Sequence, residues 1–281
     1  MMLLLKGAPV SKAICGSLKK DVEELKNKGV VPKLVAFAIQ PDESSLEYMR
    51  GQEKSAEKLG IAYERLILKD ADLKEAKRII LELNESRDVH GIIVMRPLPE
   101  NVPEQELLAL LSPQKDVEGV TLQNLGYLFH ETGGFSPCTA EAILRVADYY
   151  GVSFEGKDVV VVGRSITVGK PIAMMLLRKS RNATVTVCHT RTKDLKAHTK
   201  MADVLIVAVG RAKMVGREHV KPGSVIFDVG INLTDSGVTG DVNFDEVCEL
   251  VDAITPVPGG ISPVTTAVLM SRVVEIAKNA G

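Results

Sequence analysis

Tryptophan is absent from this 281-residue chain, and aromatic residues make up only 4% of it. Proteins that bind single-stranded nucleic acid usually stack bases on aromatic side chains, so this composition disfavours that class. A basic excess is also lacking, because 35 Lys and Arg residues balance 36 Asp and Glu residues. Nucleic acids and membrane surfaces attract basic proteins, so we expect neither as a partner.

Cysteine pairs, metal-ligand spacings and long apolar runs are missing as well. The four cysteines include no Cys-x-x-Cys pair, and the five histidines show no paired spacing of metal ligands. We therefore expect a reduced, cytoplasmic setting and no bound metal. The apolar run at residues 1–5 is too short for a signal peptide or a membrane span.

Alternating helices and strands are predicted along the first half of the chain. The continuous apolar run at 34–39 is typical of a buried parallel strand. An apolar stripe with charged residues on its other side predicts an amphipathic helix at 8–28. The full pattern predicts helices at 8–28, 44–59 and 73–86, and strands at 34–39, 63–68 and 91–94.

A second α/β series begins near Cys138. It predicts strands at 158–162, 184–188, 203–208 and 224–228, and helices at 170–178, 191–200 and about 264–279. The proline- and glycine-rich segment 256–260 predicts an ordered loop before the last helix. The fold expected is two α/β domains, the C-terminal one of Rossmann type, with a ligand cleft between them.

The glycine turn after residues 159–162 is the strongest local signal for a ligand. Gly163 allows a tight turn after a strand, and Gly169 allows the next helix to begin close to a phosphate. The segment between them contains Arg164, Ser165 and Val168. This spacing departs from Gly-x-Gly-x-x-Gly, yet the order strand, turn, helix favours a dinucleotide site.

The end of the next predicted strand indicates which dinucleotide binds. NAD sites usually place an acidic residue there, whereas this chain has Thr190 and Arg191 and no acid before Asp194. Arg164 and Arg191 are cations that suit a 2′-phosphate. The sequence therefore favours NADP over NAD, with a solvated loop charge as the alternative interpretation of Arg191.

Several ordered motifs together resemble one family from end to end. They are His90-Gly-Ile-Ile-Val94, Pro97-Leu-Pro99, Lys115-Asp-Val117, Pro137-Cys-Thr139, Val162-Gly-Arg-Ser165, Asp228-Val-Gly-Ile-Asn232, Gly240-Asp-Val242 and Thr255-Pro-Val-Pro-Gly-Gly260. The chain resembles the bifunctional methylenetetrahydrofolate dehydrogenase/cyclohydrolase family. That family oxidises 5,10-methylene-tetrahydrofolate to the methenyl cation with NAD(P) and then hydrolyses the cation to 10-formyl-tetrahydrofolate.

The resemblance implies a domain plan and a set of site residues. Residues 1–138, completed by the helix at 264–281, would be the catalytic folate domain, and residues 139–263 the NAD(P)-binding domain of a homodimer. Cofactor contacts are implied for Gly163, Arg164, Ser165, Val168, Gly169, Thr190, Arg191 and Ile231. Substrate contacts are implied for Tyr48, Glu118, Pro258, Gly259, Gly260 and Thr265.

Departures from the family pattern fall at the implied catalytic site, which contains Tyr48, Gln52, Met95 and Glu118. The family has Tyr-x-x-x-Lys, and here Tyr48 is followed at i+4 by Gln52. Met95 replaces a Gln that supports the Lys, and Glu118 replaces the Asp that holds the pterin amide. Ser262 replaces a Gly in the segment that follows residue 260.

These departures predict that hydride transfer is kept and that cyclohydrolase activity is weak or lost. A Gln amide does not titrate near neutral pH, so Gln52 cannot accept a proton from water. One alternative is a fully bifunctional enzyme in which another group, such as Lys54 or Arg96, acts as the base. Others are a dehydrogenase for a different one-carbon or pterin-like substrate, and a catalytically weak folate- or nucleotide-binding regulatory protein.

Overall fold

The computed structural model describes residues 2–235 and 237–279, and these divide into two compact units. The three-stranded unit contains residues 12–138 and those from 266 onward, and the six-stranded unit contains residues 1–11 and 139–265. The boundaries between the two units lie within the first helix of the chain, at the start of its sixth helix and within its last helix. Each unit has its own parallel sheet.

The sheet of the three-stranded unit has strand order β3-β2-β4, and all its strands are parallel. Its elements are α1 (Gly7–Asn27), β2 (Lys33–Ile39), α2 (Glu43–Leu59), β3 (Ala62–Leu68), α3 (Leu73–Glu85), β4 (Gly91–Val94), α4 (Glu104–Leu108), α5 (Leu122–His130) and the later part of α10 (Ile261–Asn279). Residues 34–39 of the central strand are all buried, as the continuous apolar run predicts. Phe37 and Val94 pack with Ile80 of α3 and Leu107 of α4 in one core cluster.

Helix α2, which contains Tyr48 and Gln52, has clear local signals at both ends. Asp42 accepts a hydrogen bond from the backbone N–H of Ser45 at 2.7 Å and caps the N-terminus. Gly60 ends the helix in the left-handed region, at φ +76°. The helix therefore begins and ends within a residue of the prediction.

The sheet of the six-stranded unit has strand order β1-β11-β8-β7-β5-β6, with parallel pairing throughout. Its strands are β1 (Leu3–Leu4), β5 (Asp158–Val162), β6 (Thr184–Cys188), β7 (Val204–Val207), β8 (Val225–Asp228) and β11 (Ala253–Ile254). Its helices include α6 (Cys138–Tyr150), α7 (Gly169–Leu176), α8 (Leu195–Thr199) and α9 (Phe244–Val247). A separate antiparallel hairpin pairs β9 (Asn232–Thr234) with β10 (Gly237–Thr239).

The strand order creates a switch point beside β5. The chain passes from β5 to β6 on one side and then to β7 on the other side of β5. Ligands of open parallel sheets bind at the carboxyl ends of the strands, where the order reverses. The glycine turn at Gly163 directly follows β5 and therefore lies at this point.

The two α/β domains expected from the sequence are confirmed, with some differences in the elements. The helix predicted at 191–200 begins only at Leu195, because Asp194 caps it by accepting from the backbone N–H of Ala197 at 3.2 Å. The last helix begins at Ile261, three residues before the expected start. Among the described residues, no helix combines the length and apolar composition that a membrane span requires.

Candidate functional site

The glycine turn of the six-stranded unit requires glycine at both ends. Gly163 has φ +128°, and a Cβ there would collide with the backbone carbonyl oxygen of Ala208, directly after β7. A Cβ at Gly169 would collide with the carbonyl of Gly163. Glycine at both positions therefore lets these backbones approach closely at the switch point.

Ser165 closes the turn between the two glycines. Its Oγ accepts hydrogen bonds from the backbone N–H groups of Val168, at 3.1 Å, and Gly169, at 3.4 Å. Arg164 and Ser165 are both exposed. The guanidinium of Arg164 is therefore accessible to an anion from solvent.

The loop after β6 presents donors and a cation but no carboxylate at its tip. The backbone N–H of His189 donates to Thr192 Oγ1 at 2.8 Å, and His189 Nδ1 accepts from the backbone N–H of Arg191 at 3.1 Å. These bonds fix the loop and leave Thr190 and Arg191 exposed. Asp194, the next acid, is used as the cap of α8.

A cavity of about 240 Å³ in the six-stranded unit brings together residues expected to contact different ligands. Its lining includes Ile231, expected at the cofactor, and Pro258, Gly259 and Gly260, expected at the substrate. Thr265 is not part of this lining; it is buried in α10, and its Oγ1 donates to Ile261 O at 3.3 Å. The cavity therefore brings together residues of the motifs at 228–232 and 255–260, whereas Thr265 lies outside it.

The loop at 256–260 is held by the N-terminal segment. The backbone N–H of Gly7 donates to the carbonyl of Gly259 at 2.8 Å, and a Cβ at Gly7 would collide with the carbonyl of Gly260. Sequence reasoning did not identify Gly7. Its role depends on a contact 252 residues away along the chain, which spacing does not show.

Two buried aspartates order loops of the six-stranded unit, and one of them, Asp228, lines the cavity. Asp241 accepts backbone N–H bonds from Val209 at 2.7 Å, Gly210 at 3.0 Å and Arg211 at 2.8 Å. Asp228 accepts backbone bonds from Gly230, Asp241 and Val242 at 2.9–3.0 Å. Both aspartates therefore hold turns in place by accepting backbone N–H bonds. Burial raises the pKa of Asp228 to about 6, although the three backbone donors oppose the shift.

In the three-stranded unit, Tyr48 and Gln52 lie one turn apart on α2. Gln52 is fully buried, and its Oε1 accepts a hydrogen bond from the hydroxyl of Tyr63 at 2.8 Å. Its Nε2 is buried and has no hydrogen-bond partner among the described residues. Gln52 therefore places a buried amide N–H group beside Tyr48, and its amide oxygen accepts a hydrogen bond without being a base.

Tyr48 lies in the same group of side chains. Burial raises the pKa of its hydroxyl to about 12, and Gln52, Glu118 and Thr266 are all close enough to affect this pKa. Tyr48 is therefore a neutral hydroxyl at physiological pH. The structure thus places Tyr48 near Gln52 and Glu118, two of the residues expected from the sequence at the same site.

Met95 and Arg96 follow β4 directly. The backbone N–H of Met95 continues the pairing with β2 by donating to Phe37 O at 2.8 Å, and the Met95 side chain is buried. A thioether is only a weak acceptor, so Met95 cannot replace an amide as a hydrogen-bonding support. Lys54, considered as an alternative base, is exposed on α2.

Arg96 forms a charged cluster with two glutamates. Its Nε donates to Glu104 at 2.6 Å, and its Nη1 donates to Glu118 at 2.6 Å. Burial alone would lower the pKa of Arg96, but the two carboxylates outweigh it and the pKa is raised. Burial raises the pKa of Glu118, and Arg96 opposes that shift. Arg96 is thus a fixed cation rather than a base.

The backbone that carries Glu118 is fixed by a buried carboxylate on one side. Asp116 accepts from the backbone N–H groups of Gly119 at 2.9 Å and Thr121 at 2.8 Å, and from Asn124 Nδ2 at 2.8 Å. Asp116 belongs to one of the family motifs, but its positioning role was not identified from the sequence.

A buried guanidinium fixes the same backbone on the other side. Arg272 of α10 donates to Val117 O at 2.9 Å and also to Ser136 O, and its guanidinium carbon lies 5.0 Å from the centroid of the Phe135 ring. Sequence reasoning missed Arg272 and also Tyr63, because their partners are distant along the chain.

Cys138 and His90 both make structural contacts. Cys138 Sγ lies 3.1 Å from Val117 O and accepts from Arg272 Nη1 at 3.1 Å. His90 is buried, and its Nδ1 accepts from the backbone N–H of Lys33 at 3.2 Å. Both residues therefore help to hold the backbone next to functional segments.

Comparison with known proteins gives one consistent result. Residues 5–118 match the catalytic domain of tetrahydrofolate dehydrogenase/cyclohydrolase, and residues 137–281 match its NAD(P)-binding domain. The bifunctional protein FolD of Dictyoglomus thermophilum is 43% identical over 281 residues, covering 99% of both chains.

Two solved structures extend the similarity to the fold. The bifunctional FolD dehydrogenase/cyclohydrolase of Campylobacter jejuni has a TM-score of 0.94 at 38% identity, covering 99% of both chains. The Trypanosoma brucei dehydrogenase-cyclohydrolase, solved with NADP cofactor and an inhibitor, has a TM-score of 0.92 at 31% identity, covering 99% of this chain and 98% of the other. This chain therefore belongs to the tetrahydrofolate dehydrogenase/cyclohydrolase family, and its C-terminal part is that family's NAD(P)-binding domain.

Proposed function

We propose that this protein is an NADP-dependent 5,10-methylene-tetrahydrofolate dehydrogenase whose cyclohydrolase activity is weak or absent. The observation that carries this proposal is Gln52, which replaces the catalytic Lys of the family pattern. Gln52 is fully buried, and Tyr63 occupies its amide oxygen. A buried amide with an occupied oxygen has no means of accepting a proton from an attacking water.

The dehydrogenase step does not need that base. The carbon that loses a hydride is flanked by two nitrogens, whose lone pairs stabilise the cation that forms. Positioning of the two reactants then accounts for most of the rate acceleration. The loss of a proton acceptor at residue 52 therefore removes hydrolysis selectively.

The glycine turn supports a dinucleotide site, because backbone contacts at Gly163 and Gly169 that leave no room for a Cβ let α7 begin close to the end of β5. The cofactor would supply the hydride acceptor. We assign its contacts to Gly163, Arg164, Ser165, Val168, Gly169, Thr190, Arg191 and Ile231. Exposed Arg164 and Arg191 and the absence of an acid at the tip of the β6 loop support NADP over NAD.

For the folate, we assign Tyr48 and Glu118 in the three-stranded unit and Pro258, Gly259, Gly260 and Thr265 in the six-stranded unit. The charged carboxylate of Glu118 suits the amide edge of a pterin. The ring and neutral hydroxyl of Tyr48 suit an uncharged part of the ligand. We propose residues 1–138 with 264–281 as the catalytic folate domain and residues 139–263 as the NAD(P)-binding domain.

The main alternative, a fully bifunctional enzyme with a different base, has less support. Lys54 is exposed, and Arg96 is bound by two carboxylates that stabilise its charged form. A regulatory protein that only binds folate or nucleotide is disfavoured by the intact glycine turn. A cytoplasmic homodimer is proposed from the family resemblance alone.

The proposal is tested by mixing purified protein with methylene-tetrahydrofolate and NADP and following NADPH and methenyl-tetrahydrofolate separately. We expect methenyl product to accumulate in step with NADPH and to decay no faster than it does without protein. NADPH formation with protein-dependent consumption of methenyl would favour the bifunctional alternative. No NADPH with either NADP or NAD would overturn the dehydrogenase assignment.

A further inference from the structure

Arg96 has an unused hydrogen-bond donor at the proposed folate site. Two of its three guanidinium nitrogens bind Glu104 and Glu118, each at 2.6 Å. The third, Nη2, is buried and has no hydrogen-bond partner among the described residues. A buried charged donor without an acceptor is unfavourable, so Nη2 requires a partner that the described protein groups do not supply, and a ligand acceptor is one such partner.

The position of Arg96 is fixed from three sides. Its backbone carbonyl accepts from Ser45 Oγ of α2 at 2.9 Å, its Nε binds Glu104 of α4, and its Nη1 binds Glu118 Oε2. A planar guanidinium held in this way aims its remaining N–H groups in a fixed direction. The donor is therefore preorganised before a ligand arrives.

The sequence indicates that Arg96 and Glu118 are a matched pair. The family pattern has Leu where this chain has Arg96, and Asp where it has Glu118. The ion pair at 2.6 Å uses Glu118 Oε2, so Oε1 is the carboxylate oxygen that we assign to a ligand. The pair thus offers one strong acceptor and one strong donor from a single charged unit.

We propose that Arg96 is a specificity-determining residue that donates from Nη2 to the carbonyl oxygen of the pterin lactam, while Glu118 accepts from the adjacent N–H. This inference rests on the proposed folate function. A lactam presents a donor and an acceptor side by side, which the Glu118–Arg96 pair complements. A carboxylate alone would satisfy only the donor.

Folic acid and its 4-amino analogue separate this role from a purely structural one. The analogue replaces the carbonyl acceptor with an amino donor, which would face Arg96. We expect competitive inhibition to favour folic acid by about tenfold or more, in line with a hydrogen bond to a charged group. The Arg96→Leu variant should lose most of that preference. An unchanged preference in R96L would overturn the inference.

Arg96→Lys covers the case in which R96L does not fold. A lysine keeps the charge but lacks the planar set of donors that binds Glu104, Glu118 and a ligand at once. R96K should therefore also lose the preference for folic acid. Lys77→Met is the matched control, because it breaks the exposed Lys77–Glu106 pair of the same unit. It should leave the preference unchanged. A preference lost equally in K77M would contradict the assignment to Arg96.

Steady-state kinetics give a second readout, because a purely structural role of Arg96 would not change KM selectively. We expect R96L to raise KM for methylene-tetrahydrofolate about tenfold or more with little change in kcat. The double variant R96L/E118D, which restores the family pair, should recover much of that loss. A double variant as impaired as the sum of the two single variants would contradict the matched pair.

The pH profile gives a third readout. The charged and titratable groups around Glu118 are Arg96, Glu104, Asp116 and Tyr48. Without Arg96, the pKa of Glu118 should rise further, so the acid limb of kcat/KM should move to higher pH in R96L. A limb that stays in place would count against the inference. If neither folic acid nor its analogue bound any variant or the wild type, the proposed folate function itself would fail.

Discussion

Tyr63 of β3 donates its hydroxyl proton to Oε1 of Gln52 at 2.8 Å, across the gap between a strand and α2. Burial raises the pKa of Tyr63, so the hydroxyl remains a donor throughout the physiological range. The bond fixes the amide orientation of Gln52 and directs Nε2 away from Tyr63. The proposed catalytic position therefore presents a permanent donor where the family pattern has a titratable amine.

Tyr63→Phe tests this relationship through stability. The variant leaves the buried Oε1 of Gln52 without its donor, which should lower the free energy of unfolding by about 1–3 kcal/mol in urea denaturation. Tyr127→Phe is the control, because its exposed hydroxyl only contacts Gln123, and it should change stability by less than about 0.5 kcal/mol. Equal effects of the two variants would show that the Tyr63–Gln52 bond is not specific.

Gly163→Ala tests the cofactor turn. The substitution combines φ +128° with a collision against the carbonyl of Ala208, so the turn has to open. We expect NADP affinity, measured by calorimetry, to fall at least about tenfold, since a 1 Å displacement is costly at such sites. Gly16→Ala in α1 has open space around it and should leave affinity unchanged. Unchanged NADP affinity in G163A would argue that the turn does not hold the cofactor.

Arg191→Ala tests cofactor selectivity. If Arg191 binds the 2′-phosphate, its loss should raise KM for NADP about tenfold and leave KM for NAD nearly unchanged. Lys193→Ala removes another exposed cation from the same loop and serves as the control. Parallel changes for both cofactors, or an equal effect of K193A, would support the alternative of a solvated loop charge.

Asp228 predicts a specific pH dependence of stability. Its folded pKa of about 6 lies above the ordinary aspartate value of 3.8, so the folded state binds its proton more tightly than the unfolded state does. The stability contributed by protonated Asp228 is therefore fully present near pH 4 and is lost as the pH rises through 6. The unfolding free energy of the wild type minus that of Asp228→Asn should increase by up to about 1.4 kcal/mol per pH unit as the pH falls from 6 to 4. A decrease of this difference as the pH falls would mean that the three backbone donors outweigh burial in setting the pKa of Asp228.

The regular elements were predictable where the hydrophobic pattern was long. The run at 34–39 predicts β2, and the pattern at 44–59 predicts α2, because both depend on neighbouring residues. The strands β1 and β11 have two residues each, and they exist because Leu3 pairs with Ala253. No local pattern specifies such a pairing.

The candidate site was predictable only in the residues that belong to motifs. Gln52 and Glu118 were identified because they depart from a recognised pattern. Tyr63 and Glu104 act through contacts 11 and 8 residues away, and Arg272 reaches Val117 over 155 residues. Such contacts depend on packing, which residue spacing does not encode.

The most direct test of the central claim measures hydrolysis alone. Methenyl-tetrahydrofolate is added without cofactor to the wild type, to Gln52→Lys and to Gln52→Lys/Met95→Gln, and its decay is compared with buffer at the same pH. The account predicts that wild type leaves the decay unchanged and that the double variant accelerates it at least about tenfold, since burial beside Tyr63 favours a neutral, basic lysine. Acceleration by the wild-type protein would contradict the account, because hydrolysis would then proceed without a base at residue 52.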